Sequence, residues 1–321
     1  MSFDGTIIGK IRSITERAPS VREVTKISVA VIDSMRTEID AHCLVACIGI
    51  AVPGQVRSKD GSVRRAPPLG WEDQAIARLL SEATGFDVFV TNDAHAGVLA
   101  ESNFGAGRGV DDLVYLYRGP SSIGAGIVSS GLIVRGAGFA GGIGHTMVRE
   151  NGVACRCGST GCLETEARRE LLLPLLDLEN ADEGQLEAAL IASTTPEVLT
   201  EVCRQIDYMA VALRNTINTL NPQLIILAGF LATLNAVAPG DLRDFSPLIR
   251  SGRARLQLLC RGGRTRVRVA AQKPAGLSFF SLTVRREFEL FDRNAPLSVE
   301  VNAAFLIADI AFLIRPDSVG L

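Results

Sequence analysis

Residues 140–164 read AGGIGHTMVRENGVACRCGSTGCLE and contain four side chains of the kinds that bind zinc. His145 is followed ten residues later by Cys155, and Cys157 and Cys162 come next. Three thiolates and one imidazole make a complete tetrahedral set with no open position, which is typical of structural zinc sites. The stretch therefore predicts one structural zinc ion, Zn²⁺, held by these four residues.

The small and polar residues of the same stretch support this prediction. Gly158 and Gly161 allow the chain to turn tightly enough for the flanking cysteines to meet one ion. Two other interpretations remain, namely three unconnected buried cysteines or a redox pair. The polar residues Arg156, Ser159 and Thr160 give the segment no apolar face, which argues against simple burial. The spacing also differs from the C-x-x-C of redox motifs.

The composition narrows the class of protein. The chain has 321 residues, 47% hydrophobic and 21% charged, which is typical of a globular protein with about two domains. The net charge of −2 lacks the basic excess of nucleic-acid-binding surfaces, so direct DNA binding is not expected. Neither of the two longest apolar stretches can span a bilayer. Cys43–Val52 and Ala303–Ile314 are too short or too interrupted by charge. Because the first residues also do not resemble a signal peptide, we expect a cytoplasmic protein without membrane contact.

Apolar runs and helical periodicities alternate along the chain. Leu44–Val52 is a continuous apolar run that ends at Pro53, which is typical of a strand buried on both faces. Helices are predicted at Glu166–Leu173, Glu183–Ala192 and Pro196–Leu220. Strands that alternate with helices predict an α/β fold.

Four motifs follow one another in a known order, at Asn92–Ala94, Ile123–Ile127, Ala140–His145 and Cys155–Glu164. In order and spacing they resemble the motifs of the ROK family, which comprises bacterial sugar kinases and sugar-responsive repressors. The resemblance covers roughly Phe3–Val237. It implies the actin-like, ribonuclease-H-like ATPase fold, in which two α/β lobes surround a central cleft.

The resemblance also implies how the chain divides. We expect a truncated N-terminal lobe at 1–93 and a C-terminal lobe at 94–300, with the zinc loop at 145–164. A closing helix at 301–316 is expected to pack back on the N-terminal lobe. The chain is expected to begin at the family's second strand, so that the first strand is missing. Residues 272–297 do not resemble the family and receive no assignment.

The resemblance assigns roles to four residues. Asn92 would hydrogen-bond to sugar hydroxyls, and Asp93 would be the catalytic base if the protein is a kinase. Glu164 would also hold sugar hydroxyls. His145 would bind zinc through one ring nitrogen and turn the other towards the sugar, so zinc would organise the site without acting as a Lewis acid.

Each of these roles has a structural alternative. Asn92 and Asp93 are also suited to capping a helix that follows a strand. Glu164 is also compatible with a solvated position in the first turn of a helix. His145 taken alone is more typical of a buried histidine with satisfied hydrogen bonds.

The chain departs from the family at the sugar and phosphate motifs. Gly142 stands where the family has a sugar-gripping Glu, and the loss of one charge-assisted hydrogen bond is worth about tenfold or more in affinity. Ser121 and Ser122 replace part of the kinases' Gly-Thr-Gly turn, and the Asp-Gly-Gly-Thr phosphate motif is not found. Ser121, Gly124 and Gly126 remain weak candidates for nucleotide binding.

These departures favour a sugar-sensing regulator, or its effector-binding domain, with degenerate kinase motifs and a small sugar or sugar derivative as ligand. One alternative is an ATP-dependent sugar kinase of the glucokinase or N-acetylhexosamine kinase type, with ATP and Mg²⁺ as cofactors. The other is a non-catalytic remnant that still folds around zinc. The resemblance and the long predicted helix at Pro196–Leu220 lead us to expect a homodimer or homotetramer.

Overall fold

The structure is a computed structural model that describes residues 17–36, 47–119, 122–179 and 181–237, with four two-residue strands at 11–12, 257–258, 281–282 and 300–301. The described residues form two compact units. The first contains those up to Arg108, those of Arg135–Phe139 and the strands at 281–282 and 300–301. The second contains Gly109–Val134 and those of Ala140–Pro274.

The strands of the described part of the chain are β1 (Ile11–Arg12), β2 (Ile48–Val52), β3 (Gln55–Arg57), β4 (Ser62–Ala66), β5 (Trp71–Gln74), β6 (Val88–Asn92), β7 (Leu113–Arg118), β8 (Ile123–Ser129), β9 (Leu132–Ile133), β10 (Leu224–Gly229), β11 (Gln257–Leu258), β12 (Ser281–Leu282) and β13 (Glu300–Val301). The helices are α1 (Val21–Arg36), α2 (Ile76–Thr84), α3 (Asp93–Phe104), α4 (Leu163–Glu166), α5 (Glu183–Ala192), α6 (Pro196–Leu220) and α7 (Phe230–Val237). Short 3-10 helices lie at Pro67–Leu69, Gly142–His145, Arg169–Leu171 and Pro174–Leu176.

The first unit is built on β2, which runs parallel to β6 and antiparallel to β12. All five residues of β2 are buried, as its continuous apolar sequence predicts. Strands β3, β4 and β5 form an antiparallel sheet of their own. Helix α1 begins with a capping box, in which the Ser20 amide donates to Glu23 (2.7 Å) and the Glu23 amide donates to the Ser20 hydroxyl (3.3 Å).

The second unit contains a five-stranded mixed sheet in the order β11-β10-β7-β8-β9. Strands β11, β10 and β7 are parallel, and β7, β8 and β9 form antiparallel neighbours. One apolar core joins this sheet to the helices, and its buried members include Leu116, Leu163, Ile206, Leu227 and Phe230. The core therefore attaches α4, which follows the last cysteine of the predicted zinc loop, directly to the sheet.

The predicted helices α5 and α6 are confirmed, and their bounds are those expected from the sequence. The predicted helix at 166–173 is wrong, because α4 ends at Glu166 and only 3-10 turns follow. Side chains of α6 donate hydrogen bonds to main-chain carbonyl groups that would accept from main-chain amides if this segment were an α-helix. Arg204 donates to the Glu166 carbonyl (3.1 Å), and Gln205 donates to the Arg168 carbonyl (2.9 Å).

The expected closing helix at 301–316 lies outside the described residues, apart from Val301. Val301 belongs to β13 and pairs with Ile11, so no helix begins at that residue. Residues 272–297 also lie outside the described part, apart from the two residues of β12. Helix α3 groups with the first unit, whereas the expected lobe boundary preceded it at residue 93. The assignment of lobes stays a prediction.

Of the helices that the structure describes, none has the length and apolar content needed to cross a membrane.

The junction of β10 and α7 depends on a glycine. Gly229 has φ +63, and a Cβ there would lie 2.1 Å from the Arg118 carbonyl oxygen. Gly109 has a similar φ of +75, but no atom lies within 4 Å of its would-be Cβ.

We expect Gly229→Ala to lower the free energy of unfolding by about 3 kcal/mol or more, because backbone strain and a backbone clash add. Gly109→Ala has only the strain and should cost about 1 kcal/mol. Urea unfolding followed by circular dichroism measures both. Equal losses for the two variants would contradict the close approach of Gly229 to β7.

Candidate functional site

The structure brings the four predicted zinc ligands together. The ligand atoms of His145, Cys155, Cys157 and Cys162 all lie within 4.8 Å of one another. The sulfur atoms of Cys157 and Cys162 are 3.6 Å apart, and Cys155 Sγ lies 3.5 Å from His145 Nδ1. A tetrahedron with Zn–S bonds of about 2.3 Å has edges of about 3.8 Å, so the residues present fit a zinc ion.

Local backbone hydrogen bonds shape the loop that carries these side chains. The Cys155 amide donates to the Ser159 carbonyl (2.8 Å), and the Gly158 amide donates back to the Cys155 carbonyl (3.0 Å). Gly161 has φ +65, and a Cβ there would lie 1.8 Å from the Arg149 carbonyl oxygen. The predicted need for glycine in this loop therefore has a direct steric cause.

The interpretation of three unconnected buried cysteines is wrong, because Cys157 is exposed and the three sulfur atoms cluster with His145. His145 is itself exposed, so the alternative of a buried histidine is also wrong. Burial raises the pKa of the Cys162 thiol to about 12, and the neighbouring thiols add to this rise. Zinc binding at neutral pH would therefore release protons from the cluster.

Glu164 lies in the first turn of α4, two residues after Cys162. Its side chain is 5% exposed, so the alternative of a solvated residue is wrong. One carboxylate oxygen accepts from the Ile123 amide (3.0 Å) at the start of β8, and the other accepts from Arg156 Nε (3.1 Å). Its main-chain carbonyl accepts from Arg118 Nη1 (3.1 Å). The carboxylate thus accepts hydrogen bonds from both the sheet and the zinc loop.

Sequence reasoning did not find the two arginines beside Glu164. Arg118 ends an apolar strand and is only 3% exposed, with Nη2 3.6 Å from Glu170. Burial lowers the pKa of Arg118, and the nearby carboxylates of Glu170 and Glu164 oppose that shift. Arg156 was recognised only as a polar residue of the loop. Its position between Cys155 and Cys157 was the available signal.

A second buried carboxylate, Glu166, was also missed. It is 1% exposed, accepts from the Val153 amide (2.9 Å) and pairs with Arg204 Nη1 (3.1 Å) on α6. Arg149 lies 3.5 Å from the same carboxylate. Because Arg149 and Val153 belong to the zinc loop, Glu166 attaches that loop to α6.

In the first unit, Asn92 caps α3. Its Oδ1 accepts from the amides of Ala94 (2.9 Å) and His95 (3.2 Å), and its Nδ2 donates to the Gly54 carbonyl (2.9 Å). The capping alternative is therefore confirmed, and the role of Asn92 in binding a sugar stays a prediction. Asp93 is half-buried and its Oδ1 accepts from the Ala94 amide (2.9 Å). Burial raises the pKa of Asp93 to about 6.

The remaining predicted positions are Gly142, which precedes the zinc loop, and the nucleotide-binding candidates Gly124, Gly126 and Ser121. Gly142 is exposed at the start of a 3-10 helix, and a Cβ there would meet no atom within 4 Å. Gly124 and Gly126 lie in β8 opposite Tyr117 and Tyr115 of β7. Ser121 lies outside the described residues. Nucleotide binding by these residues stays a prediction.

Together, the fold and the His/Cys3 cluster define an actin-like α/β ATPase-fold protein with four side chains that could hold a metal ion. A sequence model of the ROK family matches residues 6–246, and the chain belongs to that family. The prediction of the family from its motifs is confirmed.

The relatives that match this chain include both repressors and glucokinases. It is 34% identical over 209 residues to a putative xylose repressor of Caldicellulosiruptor sp. strain Rt8B.4, covering 58% of this chain and 51% of that protein. It is 32% identical over 217 residues to a glucokinase of Thermotoga maritima, covering 61% and 68%. The chain spans about half the length of the xylose repressors that it matches.

Solved structures show the same fold. A ROK-family transcriptional regulator homologous to the E. coli MLC protein aligns with a TM-score of 0.60 and 27% identity, over 70% of this chain and 60% of that one. A ROK-family glucokinase from Streptomyces griseus, in complex with glucose and AMPPNP, aligns with a TM-score of 0.64 and 24% identity, over 84% and 88%. Because the matches include a repressor and a kinase, family membership does not by itself separate the two activities.

We expect purified protein to contain about one zinc ion per chain and Cys157→Ser to lose most of it. The variant should also melt several degrees lower, because structural zinc contributes on the order of 10 kcal/mol of binding energy to such loops. Plasma mass spectrometry and thermal unfolding measure the two effects. Cys203→Ser is the matched control, because Cys203 is an exposed thiol on α6 outside the cluster. A zinc-free protein that is fully folded would contradict the metal assignment.

We also expect the stability of the protein to depend on pH through Asp93. Folded Asp93 holds its proton up to about pH 6, whereas the unfolded residue releases it near its ordinary pKa of 3.8. Wild type should therefore lose stability relative to Asp93→Asn as pH rises from 4 to 7, by about 1 to 2 kcal/mol after allowance for partial exposure. Urea unfolding of both proteins across this range measures the difference. Parallel pH curves would show that Asp93 is not desolvated.

Proposed function

We propose that this chain is the sugar-binding effector domain of a ROK-type transcriptional regulator. The observation that carries the proposal is the environment of Glu164. Its buried carboxylate accepts hydrogen bonds from the Ile123 amide and from Arg156 of the zinc loop. A carboxylate fixed in this way binds a hydroxyl with little further loss of conformational freedom. Asn92, Asp93 and His145 are proposed as further sugar ligands.

The zinc loop supports this proposal because it supplies part of the environment of Glu164. His145, Cys155, Cys157 and Cys162 would hold zinc as a structural ion with no open coordination position. The ion would keep the chain from 145 to 162 in one conformation. Arg156 and the start of α4 would then stay in place around the carboxylate.

The motif departures favour regulation over phosphoryl transfer. Phosphoryl transfer from ATP depends mainly on the positioning of the reacting groups and on stabilisation of the charge on the phosphates. Ser122 has a β-carbon where the kinases have glycine, and this β-carbon would crowd a phosphate that approaches the main chain closely. This change weakens a phosphate contact, whereas Asn92, Asp93, His145 and Glu164 are kept.

A sugar kinase is the second candidate, and one observation favours it. The pKa of Asp93 is raised by burial to about 6, and a general base works best when its pKa lies near the working pH. In that case ATP and Mg²⁺ would be the cofactors. We further propose a homodimer or homotetramer and no direct DNA contact by these residues.

Binding of a sugar should be detectable by thermal shift and calorimetry with xylose, glucose, N-acetylglucosamine and their derivatives. We expect Glu164→Gln to weaken binding about tenfold or more, because a charge-assisted hydrogen bond is worth about 1.5–3 kcal/mol. Glu150→Gln is the control, since Glu150 is exposed in the same loop. No binding of any sugar would contradict the proposal and favour the non-catalytic remnant.

The same preparation decides between the two candidates. A coupled assay with ATP, Mg²⁺ and the same sugars should show no turnover above background if the protein is a regulator. Turnover that Asp93→Asn abolishes, with sugar binding intact, would establish the kinase instead.

A further inference from the structure

We infer that Glu166 positions the zinc loop and sets how fast the proposed zinc ion leaves the cluster. It acts through the main chain of the turn at 154–160, which carries Cys155 and Cys157. Arg204 of α6 holds the Glu166 side chain in place. This role lies outside the proposed sugar binding and depends only on the zinc assignment.

The four metal ligands have two kinds of support. His145 ends a 3-10 helix, and Cys162 is fully buried immediately before α4. The Leu163 amide donates to the Thr146 carbonyl (3.0 Å), and Leu163 belongs to the apolar core. These two ligands are therefore attached to the packed part of the second unit, whereas the other two lie on the turn at 154–160.

The turn at 154–160 keeps its own shape but adds nothing to the core. The Cys155 amide donates to the Ser159 carbonyl (2.8 Å), and Ala154 pairs with Thr160 in a β-bridge. The residues of the turn are exposed apart from Cys155, and none belongs to the apolar core around the five-stranded sheet. A movement of this turn as one piece would separate its two thiols from the other two ligands and open the cluster.

Glu166 binds the base of this turn. Its Oε1 accepts from the Val153 amide (2.9 Å), and the Val153 carbonyl accepts from the Gly161 amide (2.9 Å), so the residues on either side of the turn are joined. Gly152 gives the carboxylate room, because a Cβ there would lie 2.4 Å from Glu166 Oε1. The carboxylate is 1% exposed, and its hydrogen bond fixes the main chain two residues before Cys155.

Arg204 fixes the Glu166 side chain from α6. Its Nη1 lies 3.1 Å from Glu166 Oε2, and its Nη2 donates to the Glu166 carbonyl (3.1 Å). The next residues of α6 contribute Ile206 and Met209 to the apolar core of the second unit. The charge-assisted hydrogen bonds of this pair therefore connect the turn to the core.

The other ion pairs of the zinc loop are weaker supports. Arg149 lies 3.5 Å from Glu166 and is 46% exposed. Arg156 lies 3.1 Å from Glu164 and is 42% exposed. Solvent screens a pair that contains an exposed arginine, and the long side chain leaves the main chain free to move. Opening of the turn should therefore depend mainly on the bond between Glu166 and Val153.

The test is the rate of zinc release from protein loaded with one ion per chain, measured with an excess of a chromogenic chelator. We expect Glu166→Gln to release zinc at least tenfold faster than wild type, because loss of the charge weakens the bonds to both Val153 and Arg204. Arg204→Gln should act in the same direction. The double variant should release zinc no faster than the faster single variant, because both changes act on the same contact.

Glu201→Gln is the matched control, because Glu201 pairs with Arg204 (2.7 Å) from within α6. It removes a charge beside the same guanidinium and leaves the bond to Val153 in place, so its release rate should stay within twofold of wild type. Hydrogen exchange separates positioning from general stability. Glu166→Gln should speed exchange at 153–161 and leave α6 at 205–213 unchanged, whereas a loss of general stability would speed both.

Gly152→Ala provides a second variant if Glu166→Gln does not fold. Its Cβ would meet Glu166 Oε1 and the Cα of Gly161, and would separate the carboxylate from the base of the turn without removing a charge. Zinc should again leave faster than from wild type.

Two results would overturn the inference: zinc release by Glu166→Gln within twofold of wild type, or an equal acceleration by Glu201→Gln. A wild-type protein that takes up no zinc would refute the zinc assignment and this role with it. Sugar binding, measured separately on the same protein, shows whether the proposed function stands.

Discussion

The buried carboxylate of Glu164 is the constraint on which the second unit of this protein depends. An ionised carboxylate is costly to remove from water unless hydrogen bonds and opposite charges compensate. Here the compensation comes from three places in the chain: the Ile123 amide of β8, Arg156 of the zinc loop, and Arg118 of β7 on the neighbouring carbonyl. The sheet, the loop and α4 are therefore held in one arrangement by one side chain and its carbonyl.

Glu166 repeats this arrangement two residues later, with different partners. It accepts from the Val153 amide of the zinc loop and pairs with Arg204 of α6. Arg204 also donates to the Glu166 carbonyl, which has no partner from a continuing helix because α4 ends at this residue. The same contact lies where α4 ends and joins the loop to α6. The zinc loop is thus connected to the sheet through Glu164 and to α6 through Glu166.

The first unit combines structural and chemical roles in two adjacent residues. Asn92 satisfies the amides at the start of α3, which is a structural task. Asp93, held by this turn, is half-buried with a pKa near 6. Such a group costs stability at neutral pH and is retained in proteins mainly where it serves a function. The desolvation of Asp93 therefore supports its predicted role as a sugar ligand or base.

The sequence by itself determined the His/Cys3 cluster, the motif order, the buried strand β2 and helices α5 and α6. These features rest on local spacing, on turns that need glycine and on apolar periodicity over short stretches. Only the tertiary structure decided that residues 167–173 are not an α-helix, that Glu164 is buried and that Arg118 and Arg156 surround it. Arg118 and Glu164 are 46 positions apart, and Glu166 and Arg204 are 38 apart. Contacts between residues so distant form only when the sheet, loop and α6 are assembled, and no local pattern encodes them.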